Sequence, residues 1–328
     1  MLKGLICFFI LIAYSFSVFG LTYSLPENQQ DSVIGNSSGS NNSTTADEQD
    51  TLLDIARRFD LGQNEIIWAN PTVDRWLPRG GTKVLVAKNR ILPHTPREGL
   101  VLNLPEYRLY YYPSVEDEQP TYVLTYPISI GRQDWDTPLG VTEIIEKKEN
   151  PTWTPPESIK KEHAAQGEIL PNVVPAGADN PLGLFALRLG LPGYLIHSTN
   201  KPFGVGMRVS HGCIRMYPED IEKLFPEIEV GTPVYIVNQP LKVGWLNNSL
   251  YIEIYPVLEG EQLSHDKLLQ KALDLIERAN NYIIPVLDGQ LLNKALRERN
   301  GRPVAIFKRP PSQNRTADQL GQQPVSSN

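Results

Sequence analysis

Cys213 lies in the run Val209-Ser210-His211-Gly212-Cys213-Ile214-Arg215-Met216, sixteen residues after a second histidine, His197. These residue types suit a cysteine nucleophile and its base. A free thiol has a pKa of roughly 8.5, so little of it is thiolate at neutral pH unless an imidazole or aligned backbone dipoles stabilise the anion. His197 closes a predicted strand that begins at Gly193, and a strand end holds an imidazole in a defined orientation better than a loop does. His197 is therefore the expected base. Attack on an acyl carbon puts charge on the carbonyl oxygen, and the backbone N–H groups of His211, Gly212 and Cys213 are expected to converge on it as an oxyanion hole. Gly212, lacking a Cβ, lets the backbone come close. Ser198 and Ser210, beside the two histidines, join His211 and Gly212 as expected orienting residues. His211 itself has two readings, a direct chemical role or a packing one. A histidine base also predicts acylation that falls with pH through the histidine range.

Rival chemistries start from the same residues. A lone cysteine is commonly a small buried hydrophobe, but a core thiol has no need of adjacent Ser, His and Gly. A His₂Cys zinc site at His197, His211 and Cys213 is the metal alternative, yet His94, His163 and His265 lack paired ligand spacing. No phosphate-cradling glycine loop or dinucleotide fingerprint is present, so no metal and no cofactor is expected.

The elements that must position these groups are mainly β. Short strands are predicted at Val101 to Leu104, Arg108 to Tyr112, Tyr122 to Ile130, Thr142 to Lys147, Leu184 to Leu189, Tyr194 to His197 and Val234 to Val237. Glu149 to Leu182 carries six prolines and little periodicity, and an irregular segment of that length inside a compact domain is usually functional. After the cysteine run, Pro218 starts a short helix whose Ile221, Leu224 and Phe225 pack inward.

Flanking regions are distinct. Lys3 precedes an apolar run from Leu5 to Phe19, too short to span a bilayer comfortably, and Val18-Phe19-Gly20 suits a cleavage site. Residues 1–20 thus read as a secretory signal, the alternative being an uncleaved anchor. Cys7 lies inside it, so cleavage leaves Cys213 with no intramolecular disulfide partner. Residues 21–49 form an N-terminal segment whose Gly/Ser/Asn-rich part, 35 to 50, reads as a flexible loop. Within 50–94, Leu52, Ile55, Ala56 and Phe59 fall at helical spacing, Glu65 to Ala69 makes a second turn, and Lys83 to Val86 reads as a strand. Beyond 98–238, residues 239–310 predict a small α+β segment with a strand near Tyr251 to Tyr255, an amphipathic helix through Leu268, Ala272, Leu275 and Ala279, and a second from Leu291 to Arg299. Seven cations between Lys294 and Arg315 face one acid, Glu298, as a solvated surface or a contact to an anionic wall or protein. Residues 311–328 read as a disordered tail.

Composition is that of a globular protein: 328 residues, 41% hydrophobic and 21% charged. A formal charge of −6 argues against bulk attraction to nucleic acid or anionic membrane.

The stretch from His197 through Ser198-Thr199 to Ser210-His211-Gly212-Cys213 resembles the signature of the L,D-transpeptidases, the YkuD-type cysteine enzymes of bacterial cell walls. The likeness extends to Leu109-Tyr110-Tyr111-Tyr112-Pro113, Thr137-Pro138-Leu139-Gly140, Pro151-Thr152-Trp153-Thr154-Pro155, Leu170 to Gly177 and Asp179-Asn180-Pro181-Leu182-Gly183. Cys-Ile-Arg-Met is similar to the Gram-negative periplasmic branch, whereas some members carry Asn where this chain has Arg215. The resemblance implies a sandwich-like β domain over 98–238, a lid that includes Trp153, and a thioester formed on Cys213. The attacked carbonyl would be that of the L-centre of the diamino acid at position three of a peptidoglycan stem, with loss of a terminal D-amino acid. The acceptor would be the amine of another stem peptide or a lysine of an outer-membrane lipoprotein, in the periplasm; water would make the enzyme an L,D-carboxypeptidase. Arg215 either binds a substrate carboxylate or forms a surface ion pair, and Trp153 either contacts substrate or anchors the lid. Asp50 to Phe59, Trp68-Ala69-Asn70-Pro71 and Leu77 to Thr82 together resemble a LysM module, a βααβ glycan-binding fold. The chain departs from that pattern in having Gln49-Asp50 for Gly-Asp and no clear first strand upstream. A non-catalytic wall-binding protein is the rival class.

Overall fold

The computed structural model describes residues 20–28, 31–35, 42–114, 119–258 and 263–309. The expected signal and C-terminal tail lie outside these residues. Near the N-terminus come strands β1 (Leu21–Ser24), β2 (Val33–Ile34) and β3 (Ser43–Thr45), helices α1 (Leu52–Arg58) and α2 (Gln63–Ala69), then β4 (Lys83–Leu85) and β5 (Arg90–Ile91). Thr51 caps α1: its hydroxyl accepts from the Asp54 N–H, and the Asp54 carboxylate accepts from the Thr51 N–H in return. Leu52, Ile55 and Ala56 of α1 pack on Ile66 of α2 and Val84 of β4. Antiparallel β3 and β4 close this strand–helix–helix–strand unit. Over residues 42–50 the flexible-loop expectation is therefore corrected, residues 36–41 lying outside the described ones: three polar residues with no apolar alternation form a strand because β4 supplies the partner.

The central domain contains β6 (Gly99–Asn103), β7 (Arg108–Tyr112), β8 (Tyr122–Gly131), β9 (Gly140–Glu149), α3 (Glu157–Ala165), β10 (Phe185–Leu189), β11 (Leu195–His197), β12 (Arg208–Ser210), β13 (Ile214–Met216), α4 (Pro218–Glu227) and β14 (Pro233–Val237). Strand order is β8-β13-β11-β10-β9-β14-β6-β7, and β7 pairs back onto β8, so the sheet closes on itself; β1 and β12 add to β8. This barrel-like circuit replaces the stacked sheets of the sandwich expectation. β8 permits it by changing partners along its length, with Pro127 opposite Arg108 of β7 and Ile128 opposite Met216 of β13. Leu100, Leu102, Leu109 and Tyr111 point into the barrel core, while Val101, Tyr110 and Tyr112 join an outer cluster with Ile34 and Val123. With both faces covered, these strands read as continuous apolar runs. The irregular segment expected from Glu149 to Leu182 also contains α3.

Then follow β15 (Leu241–Leu246), β16 (Ser249–Ile254), α5 (His265–Ala279), α6 (Gly289–Glu298) and β17 (Val304–Lys308), an antiparallel three-stranded sheet with both helices packed on it through Leu268, Ala272, Ile276, Leu292 and Leu296. Two of the basic residues singled out in this region have partners: Arg309 stacks on Trp245 at 3.9 Å, and exposed Lys294 reaches Glu298 at 3.8 Å. Among the described residues, no helix is long and apolar enough to cross a membrane.

Candidate active site

Parallel pairing of β11 and β13, with Ile196 opposite Ile214 and His197 opposite Arg215, brings the two sequence signals together at one end of the barrel. Cys213 stands immediately before β13, and His197 is the last residue of β11. Both line a cavity of about 390 Å³ with Trp153, His211 and Arg215.

The turn carrying Cys213 is stapled by Ser210. Its hydroxyl donates to the Cys213 carbonyl at 2.5 Å and accepts from the Gly212 N–H at 3.2 Å. That N–H thus has a partner within the turn. Gly212 has φ +100°, and a Cβ there would meet the Tyr194 ring at 2.8 Å, so a side chain is excluded on both conformational and steric grounds. Thr137 holds the same turn from β8's side, donating to the Gly212 carbonyl at 2.9 Å and accepting from the Gly131 N–H at 3.0 Å.

His197 is buried. Its Nδ1–H donates to the Ser198 carbonyl at 2.5 Å, and the Leu182 main chain is a second backbone partner of the ring. Ser198 therefore orients the imidazole through its main chain. Burial, reinforced by the Arg215 charge, pushes the His197 pKa down to about 3. Burial pushes the Cys213 thiol up, opposed by a Leu195 backbone hydrogen bond and by Arg215. The thiol donates to the Gly193 carbonyl at 3.6 Å. Both shifts favour a neutral thiol beside a neutral imidazole. A rate that falls through the ordinary histidine range is accordingly not expected of this site, because the desolvated imidazole takes its proton only in strong acid.

Arg215 lines the cavity with its buried Nε unpartnered. Trp153 also lines it, and its N–H and carbonyl exchange hydrogen bonds with Val174 at 2.9 and 2.8 Å, so it anchors the covering segment as well. Buried Asn180 ties that segment's ends, donating to the Pro151 carbonyl at 2.8 Å and accepting from the Leu182 N–H at 2.9 Å. His211 donates from Nε2 to Glu162 at 3.0 Å, with the Trp135 ring edge-on at 5.1 Å.

Thr137 and Asn180 fall in segments whose likeness to the family was legible, although neither was singled out. Glu162 and Arg132, which pair at 2.5 Å, carried no sequence signal.

A family model described as the L,D-transpeptidase catalytic domain matches residues 97–236. The chain is similar to the probable L,D-transpeptidase YbiS of Escherichia coli K12, 38% identical over 309 residues, which cover 91% of this chain and 96% of that protein. It is also similar to YcfS of the same strain, 40% identical over 261 residues covering 78% and 80%, and to ErfK/SrfK, 36% identical over 308 residues covering 92% and 96%. Similarity at this level runs through the flanking regions as well as the barrel, and on that basis this chain belongs to the L,D-transpeptidase family.

Proposed function

We propose that the protein is a peptidoglycan L,D-transpeptidase in which Cys213 is the nucleophile and His197 its base. The observation that carries this is the sharing of one lidded cavity by the Cys213 thiol and the His197 imidazole, whose Nδ1–H the Ser198 carbonyl orients. As Sγ attacks the carbonyl at the L-centre of the position-three diamino acid, Nε2 takes the thiol proton. The N–H groups of His211 and Cys213 stabilise the tetrahedral oxyanion, the Gly212 N–H being occupied by Ser210. Collapse breaks the peptide bond, and the departing D-alanine amine receives the proton from His197, leaving a thioester. An acceptor amine then attacks the thioester and gives its proton to His197; on collapse the sulfur leaves and the thiol is restored. The acceptor is another stem peptide or a lipoprotein lysine. Arg215, which lines the same cavity, holds a substrate carboxylate, and its charge assists the thiolate during attack. Trp153 packs on the bound peptide.

The strand–helix–helix–strand unit from Ser43 to Leu85 supports a LysM-like role in holding glycan. Lys3 and the apolar run after it support secretion to the periplasm.

Intact-protein mass spectrometry with a disaccharide-tetrapeptide, with and without an amine acceptor, tests the reading. A transient adduct on Cys213 with loss of D-alanine, resolving to a cross-linked product, is expected. Resolution only to tripeptide would make the protein a carboxypeptidase, and no adduct would favour a wall-binding protein. Cys213→Ala should abolish acyl transfer and leave binding to isolated sacculi intact.

A further inference from the structure

Helix α3 lies in the segment that covers the cavity, with Ile159 among the residues facing it. Several side-chain contacts of α3 remain within that segment: Lys160 bonds Glu157 at 2.9 Å and Asn172 at 3.2 Å, and His163 bonds Glu168 at 2.7 Å. Glu162 is different. Its Oε2 accepts from Nε2 of His211 at 3.0 Å and from Nη2 of Arg132 at 2.5 Å. Arg132 follows β8, and its own N–H donates to the Ser210 carbonyl at 3.0 Å. One carboxylate on the lid thus grips the catalytic turn at two points, a side chain of the turn and a cation bonded to its backbone.

We propose that Glu162 is a positioning residue for acyl transfer, clamping α3 over the cavity and holding His211 in the tautomer with Nε2 protonated and Nδ1 bare. The inference rests on the transpeptidase reading for its kinetic consequence. Its structural consequence does not need that reading.

Three observations support the clamp. Hydrogen bonding to Arg132 first, then to His211, holds the Glu162 carboxyl down at about 2, so it is ionised at every pH where the enzyme is expected to work. His211 is pushed below the usual imidazole value, burial outweighing Glu162, so near pH 7 it meets the carboxylate as a neutral donor. The Trp135 ring packs against the imidazole in an edge-on contact at 5.1 Å. His211 also supplies a backbone N–H proposed to meet the oxyanion. Anchoring its side chain on Glu162 and Trp135 therefore fixes the orientation of the peptide that carries this donor.

The test is the rate at which iodoacetamide alkylates Cys213 in the full chain, read by peptide mapping so that Cys7 is not counted, over a range of pH. Glu162→Ala should raise the rate about tenfold across the whole profile, as a lid that opens more often exposes the thiol. A shift of the profile's midpoint instead would signal altered thiol ionisation and overturn the clamp. Arg132→Ala should reproduce part of the increase, and adding it to Glu162→Ala should add little, since both remove one contact. Glu162→Gln keeps an acceptor for His211 and loses the ion pair, so it should fall between Ala and wild type; it also answers the question if the alanine variant fails to fold. With stem-peptide donor, Glu162→Ala should lower kcat about tenfold or more with a smaller change in KM. Alkylation within twofold of wild type, or an increase matched by a fall in melting temperature, would overturn the proposal. If wild type transfers no acyl group, the alkylation result still decides the clamp and the transpeptidase reading fails separately.

Discussion

At the scale of single residues, burial disfavours the charged forms of both His197 and Cys213, the proposed base and nucleophile. The imidazole has lost water and faces the Arg215 charge, which holds its pKa near 3. The thiol, raised by burial, is the better proton holder of the two at rest. A group that accepts a proton only below its lowered pKa stays a competent base above it. The acylation rate should therefore be level from pH 7 down to about pH 5 and fall only on approaching pH 3, in contrast to an exposed histidine's fall near 6.5. A pH-rate profile of thioester formation checks this, and a half-maximal rate near pH 6.5 would exclude a buried neutral His197 as base. Their types and spacing led to the expectation that these two residues work together, and both line one cavity. The direction of their ionisation was not legible in the same way, because desolvation depends on what surrounds them and not on their neighbours in sequence.

At the scale of elements, the cysteine turn needs both flanking strands. β12 and β13 have three residues each, too few to show alternation, and neither was predicted. They exist because long β8 offers a partner to both. The lid is held in a different way, by polar groups at its ends. Asn180→Ala would leave the buried Pro151 carbonyl and Leu182 N–H without partners, a loss of about 1–3 kcal/mol for each group not rescued by water. Limited proteolysis should then cut between residues 155 and 180 faster than in wild type, and thermal unfolding should occur at lower temperature. Helix α3 escaped sequence reading for a related reason: only Ile159 is buried along it, so there is no apolar stripe to detect.

At the scale of the whole molecule, the N-terminal unit is fastened to the catalytic barrel. Buried Glu65 of α2 pairs with Arg90 at 2.6 Å and with Arg108 of β7 at 2.7 Å. The first N–H groups of α2 also donate to the carbonyls of Val205 and Gly206, at 3.1 and 3.2 Å, on the approach to the cysteine turn. Next to it, buried Lys242 of β15 pairs with Glu106 and, at 2.9 Å, with Glu253. Removing one member of such a network strands the others in a dry environment. Glu65→Ala should destabilise the protein by about 3–5 kcal/mol, since it leaves two buried guanidinium groups without their counter-ion. Chemical denaturation followed by tryptophan fluorescence measures this, and a change below 1 kcal/mol would mean that water reaches the junction.

Sequence by itself carried the family likeness and the strands of the barrel with long apolar runs, and it singled out Cys213 and His197 as the proposed nucleophile and base, because these depend on residue type and on periods of a few positions. It also placed α1, α2 and α4, whose apolar spacing and capping are local. Tertiary structure alone decided that the sheet closes on itself, that β3, β12 and β13 are strands, that Ser210 consumes the Gly212 N–H, and that Glu162 meets His211 across 49 residues. These outcomes depend on which distant groups supply hydrogen bonds and exclude water, and no local pattern encodes the partner of a buried polar group.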